Sequence, residues 1–211
     1  MTTWNKIYAQ GTIHSHPSRQ VTSIISILRE KEVIHTLDAG CGTGRHAKYL
    51  AEQGFTSHAT DISSIAIKEA KKNAQGLDID YTISTLMNLP YQNNSMDFII
   101  ANQSLQYASH EEVKHSIAEL DRILKPSKPI LVRVCSEKHM FNGAKPDEIY
   151  GFSHIGFCIQ EGLPVHFFSE NELKEYFEGY NIQRLEHISH ANNHNKISVP
   201  LSEWVLFAYK K

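Results

Sequence analysis

The sequence has little of what marks several large classes of protein. Its 211 residues include three cysteines, Cys41, Cys135 and Cys158, widely separated and without a Cys-x-x-Cys pair. That pattern argues against both a structural zinc site and a disulfide framework, so free thiols in a reducing compartment are expected. No apolar run approaches the roughly 18 residues that span a bilayer, and the opening stretch MTTWNKIYAQG lacks an apolar signal core. A cytoplasmic protein with no membrane association is the expectation. Neither sign of charge dominates: 21 Lys and Arg stand against 23 Asp and Glu. Nothing in that balance attracts a polyanion, and nucleic acid is not an expected partner. Repeats, low-complexity tracts and long linkers are also missing. A chain of this length supports one sizeable core, and 1–211 reads as a single domain.

What is present is a regular alternation. Residues 17–32 carry Val21, Ile24, Ile25 and Leu28 at helical spacing behind Pro17 and Ser18. VIHTLDAG (33–40) reads as a strand and GRHAKYLAEQG (44–54) as a helix stopped by Gly54. TSHATDIS (56–63) is a strand, and 63–76 a helix with a serine cap and a glycine stop. DIDYTIST (78–85) and MDFIIANQS (96–104) are strands, 111–126 is an amphipathic helix ended by Pro126, and PILVRVCS (129–136) is a strand. Five strands alternating with helices specify an α/β fold with a mostly parallel sheet covered on both faces. Beyond it, 169–179 begins with Ser169 and Glu172 at capping-box spacing. NIQRLEHISH and EWVLFAYKK then read as two strands separated by the polar stretch ANNHNKISVPLS, an antiparallel hairpin closing one edge of a seven-stranded sheet. The chain thus divides into an N-terminal segment and helix (1–32), a core (33–136), an irregular insert (137–168) and a C-terminal helix and hairpin (169–211).

In an open sheet of this kind a ligand sits beyond the carboxyl ends of the strands. The loop there is LDAGCGTGRHA. No lysine follows its last glycine, which removes the triphosphate-binding loop. Gly40-x-Gly42-x-Gly44 leaves the third glycine out of register for a dinucleotide fingerprint. Asp38 at the strand end is unfavourable beside a pyrophosphate and favourable beside a cation. Asp61, ending the next strand, faces the same crevice, where a carboxylate accepts two hydrogen bonds from a ribose diol.

In order along the chain, LDAGCGTGRHAKYLAEQG, ATDIS, NLPYQNNSMDFIIANQSLQY and ELDRILKPSKPILVRV resemble the successive motifs of class I S-adenosylmethionine-dependent methyltransferases. The C-terminal part, with Trp4, Tyr8 and Ser18, is similar to the small bacterial tellurite-resistance methyltransferases. The resemblance implies a Rossmann-like, doubly wound fold and S-adenosylmethionine as cofactor, released as S-adenosylhomocysteine. It implies that Asp38, Gly40, Cys41, Gly42 and Gly44 line the methionine part and sulfonium. Asp61 would hold the ribose hydroxyls, Ile62, Thr85, Leu86 and Met87 would surround the adenine, and Asn102 and Gln103 would lie under the methionine end. Many relatives carry Asp where this chain has Thr85, which implies looser adenine recognition. Tellurite-type relatives tend to carry arginine near the hairpin; here 191–202 offers only Lys196.

Methyl transfer from a sulfonium requires alignment and a dry crevice more than an acid or base. The expected acceptor is a small molecule, with Tyr107, His139 and His166 as candidate catalytic groups. Met140, Phe141, Tyr150 and Phe152 crowd the 137–168 insert and suggest that it roofs the acceptor. Trp4, Tyr8 and Ile13, ahead of any regular element, suggest a lid. His187, His190 and His194 invite a metal, but residues three apart on a strand face opposite sides, and no metal is expected. The protein would act as a monomer or homodimer. Two other functions remain open at this level, a non-catalytic S-adenosylmethionine-binding regulator and an NAD-dependent oxidoreductase.

Overall fold

The computed structural model describes residues 2–11, 15–138, 164–194 and 197–211. In chain order the elements are α1 (Thr3–Ala9), α2 (Arg19–Thr22), α3 (Ile25–Glu30), β1 (His35–Ala39), α4 (Arg45–Glu52), β2 (Thr56–Asp61), α5 (Ser64–Asn73), β3 (Ile79–Ile83), β4 (Phe98–Asn102), α6 (His110–Ile123), β5 (Pro129–Cys135), α7 (Glu170–Tyr176), β6 (Tyr180–His194) and β7 (Ile197–Lys210). One seven-stranded sheet runs in the order β3-β2-β1-β4-β5-β7-β6. The first five strands are mutually parallel, and β7 runs antiparallel to both β5 and β6.

The chain steps outward from β1 to β2 and β3, then returns to place β4 and β5 on the other side of β1. That reversal opens a crevice above the carboxyl ends of β1 and β4. The central strands are apolar because both faces are covered. Every residue of β4 is buried. Ile99 and Ala101 face a core with α6 residues Val113, Ile117 and Leu120. Phe98 and Ile100 face a second core with Val21, Leu28 and Leu50. Burying one such large side chain contributes about 1.5–3 kcal/mol, which makes these strands a firm base for the loops above them.

Two expectations need correction. The helix expected over 17–32 is two short helices, because hydroxyls at the break turn back on the chain: Thr22 Oγ1 donates to the Arg19 carbonyl and Ser23 Oγ to that of Gln20, both at 3.0 Å. The polar stretch 191–202 is not a separate connector. It continues the hairpin, with Ala191 opposite Pro200 and His194 opposite Ile197; a backbone ladder propagates whatever the polarity of its side chains. Cys41 is free and buried, and Cys158 lies outside the described residues. Among the described residues no helix is long and apolar enough to cross a membrane.

Candidate functional site

The loop from β1 to α4 is pinned from beside and below. The backbone N–H groups of Gly40 and Cys41 both donate to the Thr60 carbonyl of β2 at 2.8 Å. Gly40 has a φ of 77°, and a Cβ built there would fall 2.3 Å from Cβ of Ser104. Only glycine lets the β1 and β4 loops approach this closely. Ser104 Oγ donates to the Ala39 carbonyl at 2.7 Å and fixes that approach.

Asp61 ends β2 with both carboxylate oxygens held. Gly42 N–H donates to Oδ2 and Ser63 N–H to Oδ1, each at 2.8 Å. Burial raises its pKa, and these backbone donors pull the other way. Each oxygen keeps a lone pair beyond its bond to the backbone, and the residue lies on the wall of a cavity of about 290 Å3 at the mouth of the crevice.

Of the residues named from the sequence, Gly40, Asp61, Ile62, Thr85, Leu86, Met87 and Gln103 lie on that wall, as does Tyr107. Ile62 and Met87 stand 38% and 39% exposed, apolar side chains left open where a flat apolar group would cover them. Cys41, Gly42, Gly44 and Asn102 lie off the wall. So does Asp38, which is 1% exposed and accepts from Ala47 N–H at 3.1 Å, tying β1 to the first turn of α4. Ser18 N–H donates to His46 Nε2, so a neutral His46 carries its proton on Nδ1, 4.0 Å from Asp38. Burial pushes the Asp38 carboxyl up to about 7, against the opposing effects of the Ala47 N–H and Arg45.

Under the wall lies a polar floor. Gln103 adopts a left-handed φ of 60°, a conformation that costs about 1–3 kcal/mol and tends to mark sites. Its amide nitrogen donates to Glu203 of β7, and its amide oxygen accepts from Gln106. Glu203, fully buried, also pairs with Arg133 of β5. The Asn102 side chain is 8% exposed, yet its Nδ2 and Oδ1 have no hydrogen-bond partner among the described residues. A buried amide in that condition asks for a ligand or water.

The N-terminal segment closes the cavity as a helix, α1, rather than as the irregular stretch expected. Thr2 caps it, and Asn5 Oδ1 accepts from Ser63 Oγ at 2.7 Å and from Ile65 N–H at 3.4 Å. Trp4 meets Tyr107 edge-on at 4.6 Å between ring centroids. Trp4 and Tyr8 line the cavity, and burial drives the Tyr8 phenol strongly upward. Sequence reasoning missed Ser84, Glu112 and Ser116 on the wall. Glu112 also closes a capping box with Ser109, a legible spacing that reports a helix start and not a cavity. His166 lies off the wall, bonded to Glu172. Ile13, His139 and the insert residues Met140, Phe141, Tyr150 and Phe152 fall outside the described residues.

Residues 36–127 match a family model described as a methyltransferase domain. The methyltransferase YodH of Bacillus subtilis is 28% identical over 158 residues, covering 72% of this chain and 61% of its own. The chain spans about half the length of the curated relatives it matches. Among solved structures, a SAM-dependent methyltransferase from Methanosarcina mazei superposes with a TM-score of 0.70 at 20% identity, covering 87% of this chain and 96% of that one. TehB from Haemophilus influenzae superposes with a TM-score of 0.67 at 19% identity, covering 99% of this chain and 66% of that one. At these identities the two structures carry the fold.

Proposed function

Residues 36–127 form a methyltransferase domain, and from that premise we propose that the domain is of the class I S-adenosylmethionine-dependent kind, that the crevice above β1 and β4 binds S-adenosylmethionine and that the protein moves its methyl group to a small-molecule acceptor. The observation that carries this reading is Asp61. Its oxygens are pre-aimed by Gly42 and Ser63 N–H groups, and it borders the cavity between Gly40 and Ile62.

The fit extends to the rest of the wall. Asp61 would accept both ribose hydroxyls. Ile62, Leu86 and Met87 offer apolar surface to the adenine, with Thr85 at its edge. Gly40, having no Cβ, leaves its backbone open to the methionine part. The buried Asn102 amide and the fixed backbone at Gln103 lie at that same end. Asp38 contributes from beneath by holding the start of α4 and by its charge, which favours a cation above.

The bound cofactor supplies an electrophilic methyl on a positively charged sulfur. The chain's own residues then align and dehydrate. Trp4, Tyr8 and Tyr107 close the mouth and exclude water, and lining up the two partners supplies much of the rate. Of the candidate catalytic groups Tyr107 lies on the wall, and its hydroxyl oxygen accepts a hydrogen bond from, and so orients, an acceptor that still holds a proton. The cover that α1 places over the mouth favours a small acceptor over a polymer.

Titration calorimetry with S-adenosylhomocysteine, S-adenosylmethionine and NADH tests the cofactor. Saturable binding of the first two and none of NADH is expected; NADH binding alone overturns the reading. Screening small acceptors for S-adenosylhomocysteine release tests turnover, and binding without turnover of any acceptor would leave a regulator in its place.

A further inference from the structure

We propose that His110, His166 and Glu172 form a binding site for a divalent transition-metal ion of the zinc class, in addition to the cofactor crevice and independent of methyl transfer. The three residues come from different parts of the fold. His110 is the first residue of α6, His166 lies in the segment leading to the Phe168 bridge, and Glu172 is in the first turn of α7. One ligand atom from each falls within 4.8 Å of the other two.

The convergence centres on one carboxylate oxygen. Glu172 Oε1 lies 2.7 Å from His166 Nε2 and 3.3 Å from His110 Nδ1. Ligand atoms at about 2.0–2.1 Å from a tetrahedral zinc stand roughly 3.3 Å from one another. Small side-chain rotations therefore turn the present cluster into three metal bonds. Two imidazoles and one carboxylate suit zinc, cobalt or iron(II), and do not suit calcium or magnesium, which prefer oxygen ligands. Three protein ligands leave a coordination position open.

The surroundings hold these ligands in place. The second Glu172 oxygen accepts from Ser169 N–H. His166 is anchored by its own N–H to the Gln106 carbonyl at 2.7 Å, and its ring stands edge-on to Phe168 at 4.5 Å. Tyr176 hydroxyl lies 3.1 Å from Glu172 Oε1 and 3.0 Å from His110 Nδ1, an outer partner that orients both. The alternative is a cluster closed by hydrogen bonds alone, in which His166 and Tyr176 donate to Glu172 and no ion enters.

Untagged protein stripped with a chelator distinguishes the two. It is titrated with Zn2+ by calorimetry and with Co2+ by visible absorption. One saturable site is expected, with a ligand-field band for Co2+ and a rise in Tm on adding Zn2+. His110 has a side chain 51% exposed, so His110→Ala leaves the fold intact. That variant and His166→Ala should each bind Zn2+ more weakly by at least about tenfold, the lower end of what losing even an outer partner costs. Lack of saturable binding overturns the proposal. So does affinity equal to the parent's in both variants, which would put the ion on other histidines among the 13 in the chain. S-adenosylhomocysteine binding by the metal-free protein is expected to be unchanged, which separates this outcome from failure of the cofactor reading.

Discussion

The phenol oxygen of Tyr8 lies 2.6 Å from the point that a Cβ on Gly42 would occupy. Helix α1 and the glycine loop are therefore matched at one atom. The same glycine, at a φ of 54°, donates its N–H to Asp61, so a single backbone position couples α1, the loop and the acid.

Gly42→Ala is expected to lower stability by about 1–2 kcal/mol from the left-handed backbone alone, and by more from the clash with Tyr8. Placing Gly42→Ala in a Tyr8→Phe background removes the clashing oxygen, so the loss there should be smaller. Thermal melts of the four proteins give the coupling. Strict additivity would mean that the two residues do not meet.

Asp61→Ala should weaken S-adenosylhomocysteine binding by about 1.5–3 kcal/mol, the range for hydrogen bonds to a charged group. Calorimetry on the folded variant reads this directly. Unchanged affinity would remove Asp61 from the ribose.

Asn5→Ala deletes the acceptor for Ser63 Oγ and Ile65 N–H. Without it α1 should detach more often, and limited proteolysis near Lys6 should quicken. S-adenosylhomocysteine should slow cleavage in the parent chain. A rate indifferent to both the substitution and the ligand would mean that α1 is a fixed cover.

Burial pushes the Asp38 carboxyl up to about 7, compared with about 3.9 in an unfolded chain. Between those values the folded protein keeps a proton that the unfolded chain has released. Stability therefore falls as pH rises from about 4 to about 7, and this contribution levels off above. Asp38→Asn keeps an oxygen for Ala47 N–H and has no charge to bury. Its urea midpoint relative to the parent should rise across that window. Parallel pH profiles would refute the raised value.

Local pattern made much of this molecule legible. The switch between helical and strand periodicity located β1 to β5, and the capping box expected at Ser169 formed with Glu172. Asp61 was legible because a strand end and a short loop fix where its side chain must be. Asp38 was half legible: the strand end was plain, but its turn inward to Ala47 N–H depends on how α4 packs. The hairpin was legible but its length was not, because 191–202 is polar and pairing is a property of two backbones. His166 and Glu172 were each noticed singly, but their meeting with His110 gave no signal, since only the docking of α7 beside α6 brings the three together.

The pairing of Gln103 and Arg133 with Glu203 bears on the order of events during synthesis. The matched family segment stops at residue 127, yet the floor of the crevice takes its central carboxylate from β7, near the end of the chain. A nascent chain holding β1 to β5 has the glycine loop and Asp61 but not the anion that settles Gln103 and the Arg133 guanidinium. The crevice thus reaches its finished shape only after β7 has left the ribosome and paired with β5. A truncated product of interrupted translation would keep the motifs of the family and lack the finished crevice.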